Sequence, residues 1–157
     1  MIILVKYSDN MKKQILSFIT SLAIPVLFFT NCKKEDSPPP PSKTNTQRMS
    51  ESPWKFSTAF AGSTDVSNLP QLTCFKDNIL TFSINLTGSI NEGTNICSPS
   101  TAGAFTWNFA SNETIVHIST VLISGGNNDF TLVALTDTQL KVSQVINAQT
   151  VVVTFIH

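Results

Sequence analysis

Few side chains in this chain are equipped for chemistry, and their spacing sorts them. There are three cysteines, Cys32, Cys74 and Cys97, and two histidines, His117 and His157. Cys74 and Cys97 admit three readings: a disulfide, a metal pair or a reactive thiol. A tetrahedral metal site needs four ligands, and no second pair of His or Cys lies nearby in sequence. If the chain enters an oxidising compartment, a disulfide is therefore the favoured expectation. His117 sits between Val116 and Ile118 and should point away from their apolar face. As a general base it would need a nucleophile and an orienting carboxylate, and no Gly-x-Ser-x-Gly accompanies it. It reads as a surface strand histidine. Asp77, Glu92, Glu113, Asp129 and Asp137 fall in turns, where an aspartate commonly bonds its own backbone. Asn127, Asn128 and Asp129 lack the spacing of a calcium loop. The sequence therefore predicts no catalytic residue, no metal and no cofactor.

Cys32 belongs to a different context. Lys12 and Lys13 follow Met11, an apolar run fills residues 15–29, and Thr30, Asn31 and Cys32 come next. That order is a cationic region, a hydrophobic region and a cleavage region. Fifteen residues interrupted by Pro25, Ser17, Thr20 and Ser21 fall short of the about 20 that a membrane-spanning helix needs. Residues 1–31 are expected to be a cleaved signal peptide, with Met11 the better start. Phe29-Thr30-Asn31-Cys32 resembles a bacterial lipobox, although Phe29 and Asn31 depart from its commoner Leu and Gly, Ala or Ser. The resemblance implies lipidation of Cys32 and attachment to a membrane through acyl chains, each methylene contributing about 0.8 kcal/mol.

Residues 32–50 then read as the lipidated cysteine and a flexible tether, with Pro38, Pro39, Pro40 and Pro41 favouring extended polyproline II. Lys34, Glu35 and Asp36 resemble the surface-export signal of Bacteroidetes lipoproteins; the alternative is that they are solvated tether charges.

Beyond residue 50, Lys55, Lys76 and Lys141 are set against Glu51, Asp65, Asp77, Glu92, Glu113, Asp129 and Asp137, so three against seven leave a net charge of −4. A nucleic-acid binder needs clustered Lys and Arg. Nucleic acid is excluded as a partner.

Residues 51–157 show period-two alternation, the mark of half-buried strands. Leu80, Phe82, Ile84 and Leu86 form one set, Phe105, Trp107 and Phe109 another, and Val116, Ile118 and Leu122 a third. Phe130, Leu132 and Ala134, then Leu140 and Val142, then Val151, Val153 and Phe155 complete the series. Turn clusters at residues 91–95, 98–103, 124–129, 136–138 and 147–149 separate them, and a first strand near Trp54 to Phe60 brings the count to seven or eight. Residues 67–73 have room for one short helical turn. The expected fold is all-β, a small antiparallel up-and-down β-barrel, with a β-sandwich as the alternative that alternation does not separate.

Trp54-Lys55-Phe56, Cys74-Phe75-Lys76-Asp77-Asn78, Cys97, Phe105-Thr106-Trp107 and residues 135–142 together resemble the lipocalin-like domain of Bacteroidetes lipoproteins. Ser52-Pro53-Trp54 departs from the usual Gly-x-Trp, and the late arginine that packs over that tryptophan has no counterpart. The resemblance implies a barrel, an outer-membrane lipid anchor facing either the periplasm or the cell surface, and a small apolar or amphipathic ligand. The inward faces offer Trp54, Phe56, Phe82, Phe105, Trp107, Phe109 and Phe155 as its site. The same aromatics are equally able to fill a small barrel, leaving a structural or partner-binding protein. Cys32→Ala is expected to leave the chain unlabelled by fatty acid; radiolabelled palmitate that persists on the variant would refute the anchor.

Overall fold

A computed structural model describes residues 41–157. The expected signal peptide, Cys32 and Lys34-Glu35-Asp36 lie outside the described residues. No helix among those described is long and apolar enough to cross a membrane.

Nine antiparallel strands form one sheet: β1 (Trp54–Ala61), β2 (Thr64–Asp65), β3 (Ile79–Phe82), β4 (Thr87–Asn91), β5 (Gly103–Ala110), β6 (Ile115–Ile118), β7 (Asp129–Leu135), β8 (Gln139–Ile146) and β9 (Gln149–Ile156). From β3 onward each strand pairs with the next. β1 pairs with β3 at Trp54↔Leu80 and with β9 from Lys55↔Ile156 to Phe60↔Val152. That double pairing closes eight strands into an up-and-down barrel, with β2 a two-residue flap on β1. Closure decides against the sandwich. It also removes the open edges that a meander of this length would otherwise present.

The alternation puts its apolar side chains inside. Leu80, Phe82, Phe105, Trp107, Val116, Ile118, Phe130, Leu140, Val142, Val151, Val153 and Phe155 are all buried. Trp107 sends its indole N–H to the Thr87 and Ser83 carbonyls, so the ring is buried without stranding a donor. The β8–β9 hairpin turns through Asn147 and Ala148, both left-handed, as the twist of a two-residue connection requires.

The structure departs from the sequence reading in three places. The alternation of residues 80–86 is not one strand. It breaks after Phe82, where the Ser83 amide donates to the Thr87 carbonyl and the Leu86 amide to the Ser83 carbonyl, with Leu86 at φ 65°. Asn85 accepts from the amide and hydroxyl of Thr87, and this side-chain turn replaces the Gly or Pro that would have announced it. The chain then returns as β4, where Gly88 lies beneath the Phe105 ring at a spot with no space for a Cβ. Secondly, Leu122 is not on a strand with Val116 and Ile118. It belongs to residues 119–128, which fold over the barrel end with Leu122 and Ile123 buried.

The third departure is in the expected tether. Asn45–Ser50 is a helix, α1, opened by a capping box in which Thr44 accepts from the Gln47 amide and Gln47 from the Thr44 amide. So short a helix is held by tertiary contacts. Met49 is 1% exposed, and its carbonyl accepts the Trp54 indole N–H at 2.9 Å. Arg48 Nε donates to Asp137 at 3.0 Å, and Asn45 donates to Glu113 at 2.8 Å, tying α1 to two turns of one barrel end. The domain thus begins before residue 51. At the other end α2 (Pro70–Thr73) and a 3-10 turn (Cys74–Asp77) contribute Leu72 and Phe75 to the core, in the segment expected to hold a helical turn. Both ends are corked. Met49→Ala should therefore cost about 2–5 kcal/mol of unfolding free energy, read from urea denaturation of the purified chain; a spacer residue would show no change.

Candidate binding cleft

The seven residues expected to line an internal site are where the alternation placed them, but they do not surround a cavity. Trp54, Phe82, Phe105, Trp107 and Phe155 are buried, while Phe56 and Phe109 pack half-buried against them. Two edge-to-face groups divide them. Phe56, Phe75 and Phe155 meet with centroids 5.9–6.4 Å apart, and Phe82 meets Phe105 and Trp107 at 5.3 Å, with Phe109 5.5 Å from Trp107. Trp54 stacks instead on His157, 3.8 Å away. The void among Met49, Phe82, Leu122 and Phe155 is about 10 Å³. That is about the volume of one water probe. The expected inward residues pack against one another, and Met49, which alternation did not predict, and Leu122, which it placed on a strand, enter from the two corks and complete the packing.

The space lies outside the core, at the end opposite α1. A half-open cleft of about 550 Å³ runs between α2, residues 97–101 and residues 121–125. Cys74 and Cys97 line it, joined as a disulfide with Cα atoms 5.1 Å apart, so the favoured reading of these cysteines is the observed one. By loop closure the bond contributes about 3 kcal/mol. Pro70, Pro99, Val121 and Leu122 give the cleft apolar surface; Gln71, Ser98, Thr101 and Ser124 give it neutral polar groups. Among the described residues no charged side chain lines it. Gln71 Oε1 is buried with no hydrogen-bond partner among the described residues.

Two carboxylates hold the wall of this cleft. Asp77 Oδ2 accepts from the Thr94 amide at 2.9 Å, the Thr94 hydroxyl at 3.1 Å and the Asn95 amide at 3.0 Å. Glu92 is 2% exposed and accepts from the Thr101 amide at 2.7 Å, the Thr101 hydroxyl at 2.8 Å and the Ser100 hydroxyl at 2.7 Å. Donation from the Thr94 amide leads in holding Asp77 below the usual carboxylate range, against some burial. For Glu92 burial pushes upward, but donation from Thr101, Ser100 and the Cys97 amide together outweighs it, so its carboxyl is also held low. The sequence placed both residues in turns and missed their role. The Ser and Thr clustered at residues 98–101 were the available signal.

The other candidates separate. His117 Nδ1 meets Asp129 Oδ1 at 2.6 Å on the outer wall, with Asn108 its neighbour on the opposite strand. Asp129 therefore bonds a side chain rather than its own backbone, and Asp137 bonds Arg48 of α1. His157 sits at the α1 end, its Nδ1 3.2 Å from the Pro53 carbonyl. Among the described residues no three His, Cys, Asp or Glu side chains converge as a metal site would require. In comparisons with known proteins, no family model and no curated protein matches the chain.

Because Glu92 and Asp77 titrate lower in the folded chain than in the unfolded one, their stabilisation is present above the ordinary carboxylate range. It is lost as pH falls through their lowered values. Thermal midpoints should therefore drop below about pH 4. Glu92→Gln is expected to lower stability at pH 7 by about 1–3 kcal/mol and to flatten the acid limb; an unchanged acid limb in calorimetry would show that Glu92 is not a clamp.

Proposed function

We propose that this protein is a lipid-anchored binding module of the bacterial outer membrane, in which the filled barrel is a rigid scaffold and the loop-end cleft is the binding site. The observation that carries the reading is the contrast in volume: about 550 Å³ in the cleft against about 10 Å³ in the core. Ligand pockets commonly fall in the range of about 300–1,000 Å³, and the mouths of β-barrels are a recurrent place for them. The lining selects the ligand class. With proline, valine, leucine and disulfide surfaces and only neutral polar groups, the cleft suits a small, uncharged, apolar or amphipathic molecule.

The anchor rests on Cys32 and its hydrophobic run, and surface display rests on Lys34, Glu35 and Asp36. Kinship with the lipocalin-like domains of Bacteroidetes lipoproteins is part of the proposal, supported by the closed meander and by Trp54 at the start of its first strand. A second reading is a structural or partner-binding lipoprotein with no small-molecule ligand. The full core favours it, as do Ile96 and Val121, both exposed, with Val121 lining the cleft and Ile96 beside its Cys97 wall.

Ser124→Trp separates the two, because it fills the cleft without touching the core. The neutral fluorophore N-phenyl-1-naphthylamine should brighten with the native protein and lose that response in the variant, while the unfolding midpoint stays unchanged. An equal response from both proteins would remove the cleft from consideration. Native mass spectrometry of protein from its own membrane would then distinguish a bound small molecule from a bound polypeptide.

A further inference from the structure

We infer that the α1 end of the barrel is a second contact surface, one that rests on the phospholipid bilayer through Ile84 and Leu86; the inference depends on the lipid anchor proposed above. The turn of residues 83–86 projects from the end where α1 precedes the first strand. It carries two large apolar side chains in the open, Ile84 62% exposed and Leu86 42% exposed. Leu86 also holds φ 65°, a left-handed backbone that Gly or Asn adopts far more readily than leucine. Ile84, the more exposed of the two, adds little to the folded core. Such a turn is better explained by what it touches than by what it supports.

The position of the anchor identifies the occupant. Between Cys32 and Lys43 lie ten residues, 33–42, and ten residues span at most about 36 Å whatever their conformation. The described chain begins beside this turn: Ile84 shares a shallow groove with Lys43, Gln47, Ser50 and Glu51. A lipid on Cys32 thus confines this end of the barrel to within a few nanometres of the bilayer. At that range the effective concentration of membrane is high enough for two exposed apolar groups to matter.

Electrostatics do not oppose the contact. Lys43 pairs with Glu51 at 2.6 Å and Arg48 with Asp137 at 3.0 Å, so the charges around the turn largely cancel. The surface is apolar and nearly neutral, suited to the interfacial region of a bilayer rather than to a charged protein. In this arrangement the cleft, at the opposite end, faces away from the membrane and remains open to its ligand.

The test uses the full lipidated chain in vesicles of phosphatidylethanolamine and phosphatidylglycerol, some carrying bromine on the acyl chains. Ile84→Trp and Ile96→Trp place an indole at opposite ends of the barrel. Both positions are exposed, at 62% and 60%, so both variants keep the core. After subtraction of the native tryptophan signal, Ile84→Trp should show blue-shifted emission that brominated lipid quenches, and Ile96→Trp should show neither. A lipidated Ile84→Trp with solvent-like, unquenched emission overturns the docking while leaving the anchor standing. A chain whose intact mass shows no lipid overturns the anchor and the docking together.

Discussion

Everything in this molecule hangs on the strand β1, which must satisfy partners along both edges. One edge is bonded to β9, the last strand of the meander, and the other to β3 and β2. A meander of alternating strands without that junction would be an open sheet with one greasy face and two unpaired edges. With it, the apolar faces turn onto a common axis, and the volume they enclose is fixed by strand number. Eight strands enclose only enough space for side chains or one small guest. Here the side chains take it all, because three short helical segments add Met49, Leu72 and Phe75 from the ends.

A filled core separates stability from recognition. The aromatics that stabilise the barrel pack against one another, and the cleft proposed for binding lies instead among the loops, which are built from different chemistry. Their wall is set by the disulfide and by two carboxylates accepting from hydroxyls and amides, rather than by hydrophobic packing. Hydrogen bonds to a charged acceptor are directional, so Asp77 and Glu92 fix where residues 94–101 run in a way that apolar contact would not.

How much of this was legible in the sequence depends on the range of the forces concerned. Alternation is local, so the inward set from Trp54 to Phe155 and the meander of strands were readable, but it left the barrel and the sandwich unseparated, because closure depends on the pairing of the first strand with the last. The turn at residues 83–86 was not, because Asn85 and a left-handed Leu86 do there what Gly usually does, and the apolar alternation runs straight through it. The α1 helix was hidden for another reason. Residues 45–50 are polar except for Met49, and their order comes from Arg48 reaching Asp137 and Asn45 reaching Glu113, partners that lie 89 and 68 residues away. The cleft draws on three separate loops and carries no periodic pattern at all; only the cysteine pair pointed to it.

The junction of β1 with β9 also governs when the molecule can form. Their paired residues lie about a hundred positions apart, among the most distant contacts the domain makes. Loops of that length close slowly, and the contacts that reward closure arrive only at the end. No shorter stretch of the chain holds a complete barrel, so the N-terminal strands remain unpaired on one edge until β9 has left the ribosome. A protein built this way can complete its wall only after its last strand has been made, so the barrel closes after translation rather than alongside it.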